Sequence, residues 1–421
     1  MKAVMRFGAV FAATLTLLWL LLFLTAKLPN EALRQNYEKS VWHYADQAVY
    51  ESQNGGKLNA IKDNYADAIW LNVAWHMGQG GSLVTHYYNG ETLGENAGLY
   101  RSVFENAAPN TDYTRYWHGT ALFIRLLHLF TDVQGIKTIG FLTFLLLAGF
   151  TLVLLGRRHL DLAVLLTLSL CAVQIWNIRL SMEYQPAFLV AFLLLPAALL
   201  LERRGDIWLE LLSVIGGVSV AFFDFLTTET VTLLLPLAVV IAVRGKEERL
   251  GTRKETLFLL VRCGILWLVS YGGTFLVKWA AVSLLARENA IASAVDFASV
   301  RMLGGTADDP YNSPAHFFSC ILANLTVLFG GTARVQVGRV VLGLSLTTVV
   351  LLSVWYLFRK KEPSPALVPL LGLGSLVFLR FLVLNNHSYV HEFFVYRALV
   401  STIFSVLGAV WLSLKRNRRR L

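Results

Sequence analysis

Two acidic residues, Asp63 and Asp67, stand four positions apart in the sequence DNYAD. If this stretch is helical, that spacing puts both carboxylates on one face, where their mutual repulsion makes one of them a better general base. The apolar residues 68–76 that follow predict an amphipathic helix lying on a membrane surface. The alternative is a structural pair of acids at a helix N-terminus, where the helix dipole favours negative charge.

A cation and a carboxylate, Arg179 and Glu183, share the short run 177–186 between two apolar stretches. Ionisable residues in such a place usually have a function. In one interpretation Arg179 binds a phosphate group and Glu183 orients it; in the other, the two side chains only neutralise each other across a turn.

A further acid, Asp224, lies in the aromatic run FFDFLTTET at the end of an apolar stretch. A carboxyl group in such surroundings needs either a partner or a shifted pKa. Capping of a helix by Asp224 and the following threonines is the competing interpretation.

The run NNHSYVHEFFVYR near the C-terminus holds the densest group of polar side chains. His387 and His391 have the spacing of one helical face, Arg397 lies one to two turns further on, and Tyr396 stands beside it as a supporting residue. Two histidines can bind zinc, but the sequence offers neither an HExxH motif nor a third ligand, so we predict no metal here. We expect the histidines and Arg397 to bind a phosphate, with a satisfied structural network as the alternative.

The composition indicates how these residues are positioned. Of 421 residues 56% are hydrophobic and only 15% are charged, with a mean hydropathy of +0.55. A soluble cytosolic enzyme rarely has such values, and repeated uncharged windows of 17 to 23 residues are long enough to cross a bilayer. The net charge of +10 comes from basic clusters beside apolar runs, which favours membrane orientation over nucleic-acid binding.

The sequence therefore predicts an all-α, polytopic transmembrane bundle of about ten helices with two external loops that contain amphipathic interfacial helices. The first span is an uncleaved anchor at 7–26. The other predicted spans are 138–155, 160–177, 185–201, 207–223, 229–243, 256–278, 338–358, 365–384 and 394–413. The predicted domains are the anchor region 1–26, a first external segment 27–137, spans 138–278, a second external loop 279–337, and the last spans with a basic tail, 338–421.

The basic clusters set the orientation. All of them fall on one side of the ten-helix arrangement, which the positive-inside rule makes cytoplasmic, together with both termini. Residues 116–130 and 317–330 are then expected to lie along the outer interface, Arg125 and His128 giving the first of them a polar stripe. An arrangement in which both stretches cross the membrane is the alternative.

This layout resembles the GT-C superfamily of polytopic glycosyltransferases, which take a sugar from a polyprenyl-phosphate carrier. The resemblance lies in the first span, the long acidic external segment with Asp63 and Asp67, six further spans, and the second external segment. It implies that an acid of the first external segment, Asp63 before Asp67, acts as the base. Because Asp63 follows the first span only after some 37 residues, Glu31 and Asp46 stay as alternatives. By the same resemblance, basic residues at the outer membrane surface bind the lipid phosphate: Arg179, Arg397, His387 and His391.

The expected function is transfer of a sugar from a polyprenyl-phosphate donor to a cell-envelope glycan or lipid acceptor, on the external face of a bacterial cytoplasmic membrane. Direct attack would invert the anomeric centre. No cofactor is expected for a monophosphate donor, whereas a pyrophosphate donor would favour Mg²⁺ or Mn²⁺. The alternatives are a lipid-linked sugar flippase or other transporter, with Asp224, Arg380 and Arg397 along its path, and a noncatalytic assembly subunit.

Overall fold

The structure of the protein is a computed structural model. It describes residues 2–53, 57–79, 84–91, 94–286, 289–303, 318–329, 348, 351–352, 354–356, 358–359 and 364–418. The described chain is overwhelmingly helical, which confirms the all-α prediction. Residues 304–317, which include Asp308 and Asp309, and most of the predicted span 338–358 lie outside the described residues.

The α-helices in chain order are α1 (Lys2–Ala26), α2 (Asn30–Ala45), α3 (Asn64–Met77), α4 (Glu95–Phe104), α5 (Ala121–Leu127), α6 (Val133–Ala172), α7 (Pro186–Leu201), α8 (Ile207–Phe223), α9 (Val231–Lys246), α10 (Arg253–Leu285), α11 (Ala290–Leu303), α12 (Ser319–Leu328), α13 (Leu367–Val383), α14 (Asn385–Val390), α15 (Glu392–Val395) and α16 (Leu399–Arg418). The described strands form two small antiparallel sheets of two strands each: β1 (Tyr50–Ser52) pairs with β2 (Ile61–Asp63), and β3 (Tyr87–Tyr88) pairs with β4 (Thr111–Asp112) across α4.

Five helical segments in the described chain are long and apolar enough to cross a membrane: Val4–Ala26, Val133–Ala172, Pro186–Arg204, Arg253–Leu285 and Glu392–Leu414. Helices α8, α12 and α13 are apolar but shorter. Residues 231–243 of α9 are all buried, so this helix lies inside the bundle. The prediction of several apolar helices is therefore confirmed, whereas the count of about ten spans stays a prediction.

Helix α6 consists of two antiparallel halves. Its backbone leaves the helical region at His159 (φ −149°, ψ 81°), between the predicted spans 138–155 and 160–177. Lys137 before this break and Ser181 after the helix both hydrogen-bond the same carboxylate, that of Asp67. Because a straight helix of 40 residues would be about 60 Å long, the two halves must reverse at His159.

The turn at His159 contacts the turns that follow α7 and α9 through a cluster of ion pairs. The Glu202 carboxylate accepts hydrogen bonds from Arg158 at 3.0 Å, Arg244 at 3.2 Å and Arg249 at 2.7 Å. Three chain reversals, after the first half of α6, after α7 and after α9, therefore lie together at one end of the bundle. We call this the far end.

The described residues between 27 and 132, with α2 to α5 and both two-stranded sheets, lie at the opposite end. We call this unit the head. Helix α3 is its core, because every residue of α3 except Tyr65 is buried. The expectation that residues 68–76 lie on a membrane surface is therefore wrong. The polar residues of this helix, such as Asn72 and His76, make hydrogen bonds within the head.

The prediction of a polar stripe at the interface is also wrong, because Arg125 and His128 are both fully buried. Arg125 donates to the carbonyl oxygens of Thr25 (3.0 Å), Leu28 and Ala74 (2.7 Å), so it joins the end of α1 to the end of α3. A buried guanidinium must satisfy its donors, and backbone carbonyls satisfy them here. Residues 121–127 form only a short helix, α5, within the head.

Candidate active site

Asp63 is placed by two local structures at once. It ends strand β2, where it pairs with Tyr50 of β1, and it caps helix α3 by accepting a hydrogen bond from the Ala66 backbone N–H at 2.9 Å. An aspartate is among the best N-cap residues because its oxygen satisfies a free N–H of the first turn. The side chain is buried at the junction between the head and the bundle.

Asp67, one turn later, is saturated with partners. Its Oδ1 accepts hydrogen bonds from the Ser181 hydroxyl and the Met182 N–H, both at 2.8 Å. Its Oδ2 accepts from the Tyr44 hydroxyl at 2.9 Å and from the Lys137 ammonium at 3.2 Å. These four donors use the whole accepting capacity of the carboxylate, so the geometry favours a positioning role for Asp67 over that of a base.

The carboxyl group of Asp63 interacts with that of Glu183. The two carboxyl groups share a hydrogen bond, and both are buried. Burial raises the pKa of Asp63 to about 7, with a further contribution from the nearby Asp67. Burial and the neighbouring Asp63 hold the pKa of Glu183 well above its usual range. The raised pKa values mean that this pair retains a proton at a higher pH than ordinary carboxyl groups do, and that Asp63, once ionised, is a stronger proton acceptor.

Asp224 approaches the same pair from the end of α8. Burial, followed by the negative charge of Glu229, raises the pKa of Asp224 to about 7, and Asp224 in turn raises that of Glu183. Asp224 accepts hydrogen bonds from the backbone N–H (2.8 Å) and the hydroxyl of Thr227. The shifted pKa agrees with the first interpretation, whereas the side chain of Asp224 binds Thr227 within the turn and does not cap the next helix, whose N-cap residue is Thr230.

Arg397 reaches the segment just before Asp63. Its guanidinium donates to the Asn59 carbonyl at 3.1 Å and lies 4.8 Å from the centre of the Tyr184 ring. The Tyr184 hydroxyl donates to the Ile61 carbonyl at 3.1 Å, so both residues hold the strand that ends in Asp63. Arg397 is only 1% exposed and forms no ion pair within the described residues, and its Nε has no hydrogen-bond partner there. Its neighbour Tyr396 donates to the Val173 carbonyl at 2.9 Å.

Arg179 does not join this group. It lies in the 3₁₀ turn Ile175–Leu180 and is exposed, and it makes no ion pair with Glu183 in the part of the chain that the structure describes. The interpretation that the two neutralise each other is therefore wrong, because Glu183 points to Asp63 instead.

His387 and His391 lie together, with ring centres 4.6 Å apart. Arg301 of α11 faces both, with Nη1 at 3.4 Å from Nδ1 of His387 and 3.2 Å from Nε2 of His391. Burial, with Arg301 adding to it, lowers the pKa of His391 to about 3 and that of His387 well below its usual range. The imidazoles are therefore neutral and accept hydrogen bonds from Arg301, while Nε2 of His387 donates to the Leu226 carbonyl.

Two arginines, Arg115 and Arg301, lie near Tyr113. The Tyr113 hydroxyl lies within electrostatic range of Glu183, Arg115 and Arg301 together. The Arg115 guanidinium lies 4.3 Å from the Tyr113 ring centre and 3.8 Å from that of Phe297 on α11. The sequence analysis missed Arg115, although the run TDYTRYWHG, a basic residue among aromatic ones, was a signal for it.

At the junction of the head and the bundle the structure thus has two buried carboxyl groups with raised pKa values, and two arginines near Tyr113, which also lies near Glu183. Of the residues predicted from the sequence, Asp63, Glu183 and Asp224 come together here, Asp67 and Arg397 support them, and His387 and His391 hold Arg301. Comparison of the chain with models of protein families, with curated proteins and with solved structures gave no match.

Proposed function

We propose that the protein is an integral membrane glycosyltransferase of GT-C type that transfers a sugar from a polyprenyl-phosphate donor to a cell-envelope acceptor. The observation that carries the proposal is the buried pair of Asp63 and Glu183, with Arg115 and Arg301 near Tyr113, a residue that also lies near Glu183. Transfer of a sugar from a lipid phosphate needs a group that accepts the acceptor's proton and a cation that stabilises the departing phosphate. Both are available here.

The proposed topology puts the head outside the membrane and the far end in the cytoplasm. Its support is the separation of charge: the arginines 158, 203, 244 and 249 gather at the far end, as the positive-inside rule requires of a cytoplasmic side. The carboxyl pair then lies at the outer surface of the membrane. A donor whose lipid tail remains in the bilayer presents its phosphosugar at that depth.

In the proposed reaction the acceptor hydroxyl oxygen attacks the anomeric carbon and gives its proton to the Asp63 and Glu183 pair. The bond between the anomeric carbon and the phosphate oxygen breaks, and its electron pair leaves with the polyprenyl phosphate. Arg115 and Arg301 stabilise that charge, since a guanidinium binds phosphate oxygens in a bidentate manner. One displacement of this kind inverts the anomeric configuration.

The test uses purified protein in lipid vesicles with a panel of radiolabelled polyprenyl-phosphate sugars and a cell-envelope acceptor extract. We expect transfer by the wild type, and loss of transfer without loss of thermal stability in Asp63→Asn and Glu183→Gln. Glu105→Gln, which changes an exposed acid after α4, is the matched control and should be active. Movement of label across the bilayer without transfer would instead establish a transporter, and neither activity with any donor would contradict the proposal.

A further inference from the structure

An apolar groove opens beside the turn that carries Glu183, whose neighbours Met182 and Gln185 line it. It has a volume of about 380 Å³ and lies between helix α5 of the head, the first half of α6 and the first half of α7. Its lining includes Ile136 and Leu147 on α6 and Pro186 and Leu193 on α7. At 1.5 Å per residue these positions extend over about 16 Å and about 10 Å along the two helices. Both helices belong to the segments able to cross a membrane, so the groove descends from the head into the hydrocarbon region.

The walls of the groove pack closely together at its upper end and are mainly apolar below it. Helix α6 has a glycine at position 140, where a β-carbon would lie 1.9 Å from the side-chain oxygen of Gln185. The Gln185 amide donates to the Lys137 carbonyl at 3.1 Å, which satisfies it at the upper end of the groove. Below this level the lining is almost entirely aliphatic and aromatic. Such a surface suits a hydrocarbon chain, since it offers that chain dispersion contacts on several sides.

The upper end of the groove reaches the candidate active site through two residues. Met182 lines the groove, donates its backbone N–H to Asp67, and is followed directly by Glu183. Trp70 also lines the groove, on the buried face of α3. A chain in the groove would therefore carry its polar end to the carboxyl pair.

The groove and Arg115 lie on different sides of a row of aromatic rings. The Trp70 ring contacts that of Phe225, with centres 4.8 Å apart, and the Phe225 ring contacts that of Tyr113 at 5.7 Å. Arg115 lies beyond them, 4.3 Å from the Tyr113 ring centre. Phe225 and Tyr113 thus separate the groove from Arg115.

We infer that this groove holds the aliphatic chain of a lipid-anchored acceptor, whose sugar hydroxyl it presents to Asp63 and Glu183. The inference rests on the proposed function. In a single displacement the nucleophile attacks the face of the sugar opposite the leaving group. With the phosphate on the side of Arg115 and Arg301, the acceptor must approach from the side of the groove. The acceptor is then a membrane glycolipid, and soluble glycans are poor substrates.

The chain gains no hydrophobic free energy by leaving the bilayer for the groove, because lipid tails are as apolar as the groove itself. Its contribution is to hold the acceptor's head group near the reacting carbon. We therefore expect the groove to act on the KM for the acceptor, and to discriminate acceptors with a chain from those without one.

The experiment compares two acceptors, a diacylglycerol-linked hexose and the methyl glycoside of the same hexose, with one polyprenyl-phosphate sugar as donor. Leu193→Trp fills the groove from a position that is 62% exposed, so folding is not at risk. Leu168→Trp, at a position on the second half of α6 that is 53% exposed and outside the groove lining, is the matched control. We expect Leu193→Trp to lower the preference for the lipid acceptor, measured as the ratio of kcat/KM values, at least tenfold. Leu168→Trp should leave this ratio as in the wild type.

Two results would overturn the inference. An equal loss with both acceptors would mean that the donor's chain occupies the groove, and no change in the ratio would mean that bulk lipid fills it. A second measurement does not depend on catalysis: a benzophenone side chain in place of Leu193, after illumination, should capture the diacylglycerol-linked hexose, and one in place of Leu168 should not. Selective capture without any sugar transfer would support the groove as the site of the acceptor's chain but contradict the proposed function. Sugar transfer without selective capture would support the proposed function but refute this role of the groove.

Discussion

Lys137 at the start of α6 donates a hydrogen bond to Asp67 of α3 across 3.2 Å, and both side chains are almost completely buried. This pair joins the head to the bundle directly beneath the carboxyl pair. Asp67 also receives the Ser181 hydroxyl and the Met182 N–H, so the turn that carries Glu183 is fixed by the same carboxylate. The position of Glu183 relative to Asp63 therefore depends on the contacts of Asp67.

Removing either partner of this pair should destabilise the protein strongly. Lys137→Met leaves the Asp67 carboxylate buried without its counter-charge, and Asp67→Asn leaves the ammonium in the same condition. Each should lower the free energy of unfolding by about 3–5 kcal/mol, and the double variant by less than the sum. Thermal unfolding in detergent measures this.

The comparison for that prediction is the more exposed pair of Lys62 and Glu51, with its nitrogen and oxygen 2.9 Å apart. Lys62→Met should change stability by no more than about 1 kcal/mol, because solvent screens exposed pairs. Equal melting temperatures for Lys137→Met and Lys62→Met would show that the buried pair does not hold the head in place.

Sugar transfer should increase with pH through about 7. The pKa of Asp63 is raised to about 7 by burial, and a carboxyl group must be ionised to accept the acceptor's proton. Asp63→Asn keeps the cap of α3, since asparagine caps as well as aspartate does, but removes the base. We expect it to lower kcat by about 10²–10⁴-fold. A flat pH profile of the wild type between pH 5.5 and 8 would contradict this assignment.

Stability should respond to pH in the opposite direction. Between its ordinary value of 3.8 and about 7, the folded Asp63 holds a proton that the unfolded chain has lost. The stability that this proton provides is fully present below pH 3.8 and is lost as the pH rises through about 7, with a slope of at most about 1.4 kcal/mol per pH unit for one group. Melting curves from pH 4.5 to 7.5 should show a shallower decrease in Asp63→Asn than in the wild type; parallel curves would argue against the raised pKa.

Arg115 should affect donor binding. Each charge-assisted hydrogen bond to a phosphate contributes about 1.5–3 kcal/mol, so Arg115→Ala and Arg301→Ala should each raise the KM for the donor by roughly 10- to 100-fold. Arg101→Ala is the control, since Arg101 is paired with Glu91 at 2.6 Å on the surface of the head. If both arginine variants lose thermal stability while the KM for the donor is unchanged, the two cations serve only to pack the aromatic residues around them.

The orientation of the head can be tested by labelling. In a Cys171→Ser background, whose other cysteines, Cys263 and Cys320, are buried, a cysteine replacing the partly exposed Glu51 should react with a membrane-impermeant maleimide in intact cells. A cysteine in place of Arg204 at the far end should react only after permeabilisation. The reverse pattern would invert the proposed topology and remove the external site with it.

Local sequence was sufficient for the helices and for part of the site. Runs of apolar residues specify helices wherever their length and lack of charge leave no other way to satisfy the backbone, and α1, α7 and α10 occur where the pattern predicts them. Asp63 could be selected from its spacing of four from Asp67, and Glu183 and Asp224 because an acid beside apolar or aromatic residues is costly unless it has a function or a partner. The sequence also indicated the break near His159, because basic residues interrupt the apolar run there.

Only the tertiary structure decided which partners each of these acids has. Asp67 has its carboxylate satisfied by Lys137, 70 residues away, and by Ser181, 114 residues away, while the carboxyl group of Asp63 interacts with that of Glu183. Contacts between residues distant in sequence also explain why Arg125 and His128 are buried and why Arg301 contacts two histidines. The state of a buried charged group depends on which distant donors fold against it, and a spacing of four along one helix carries no information about them.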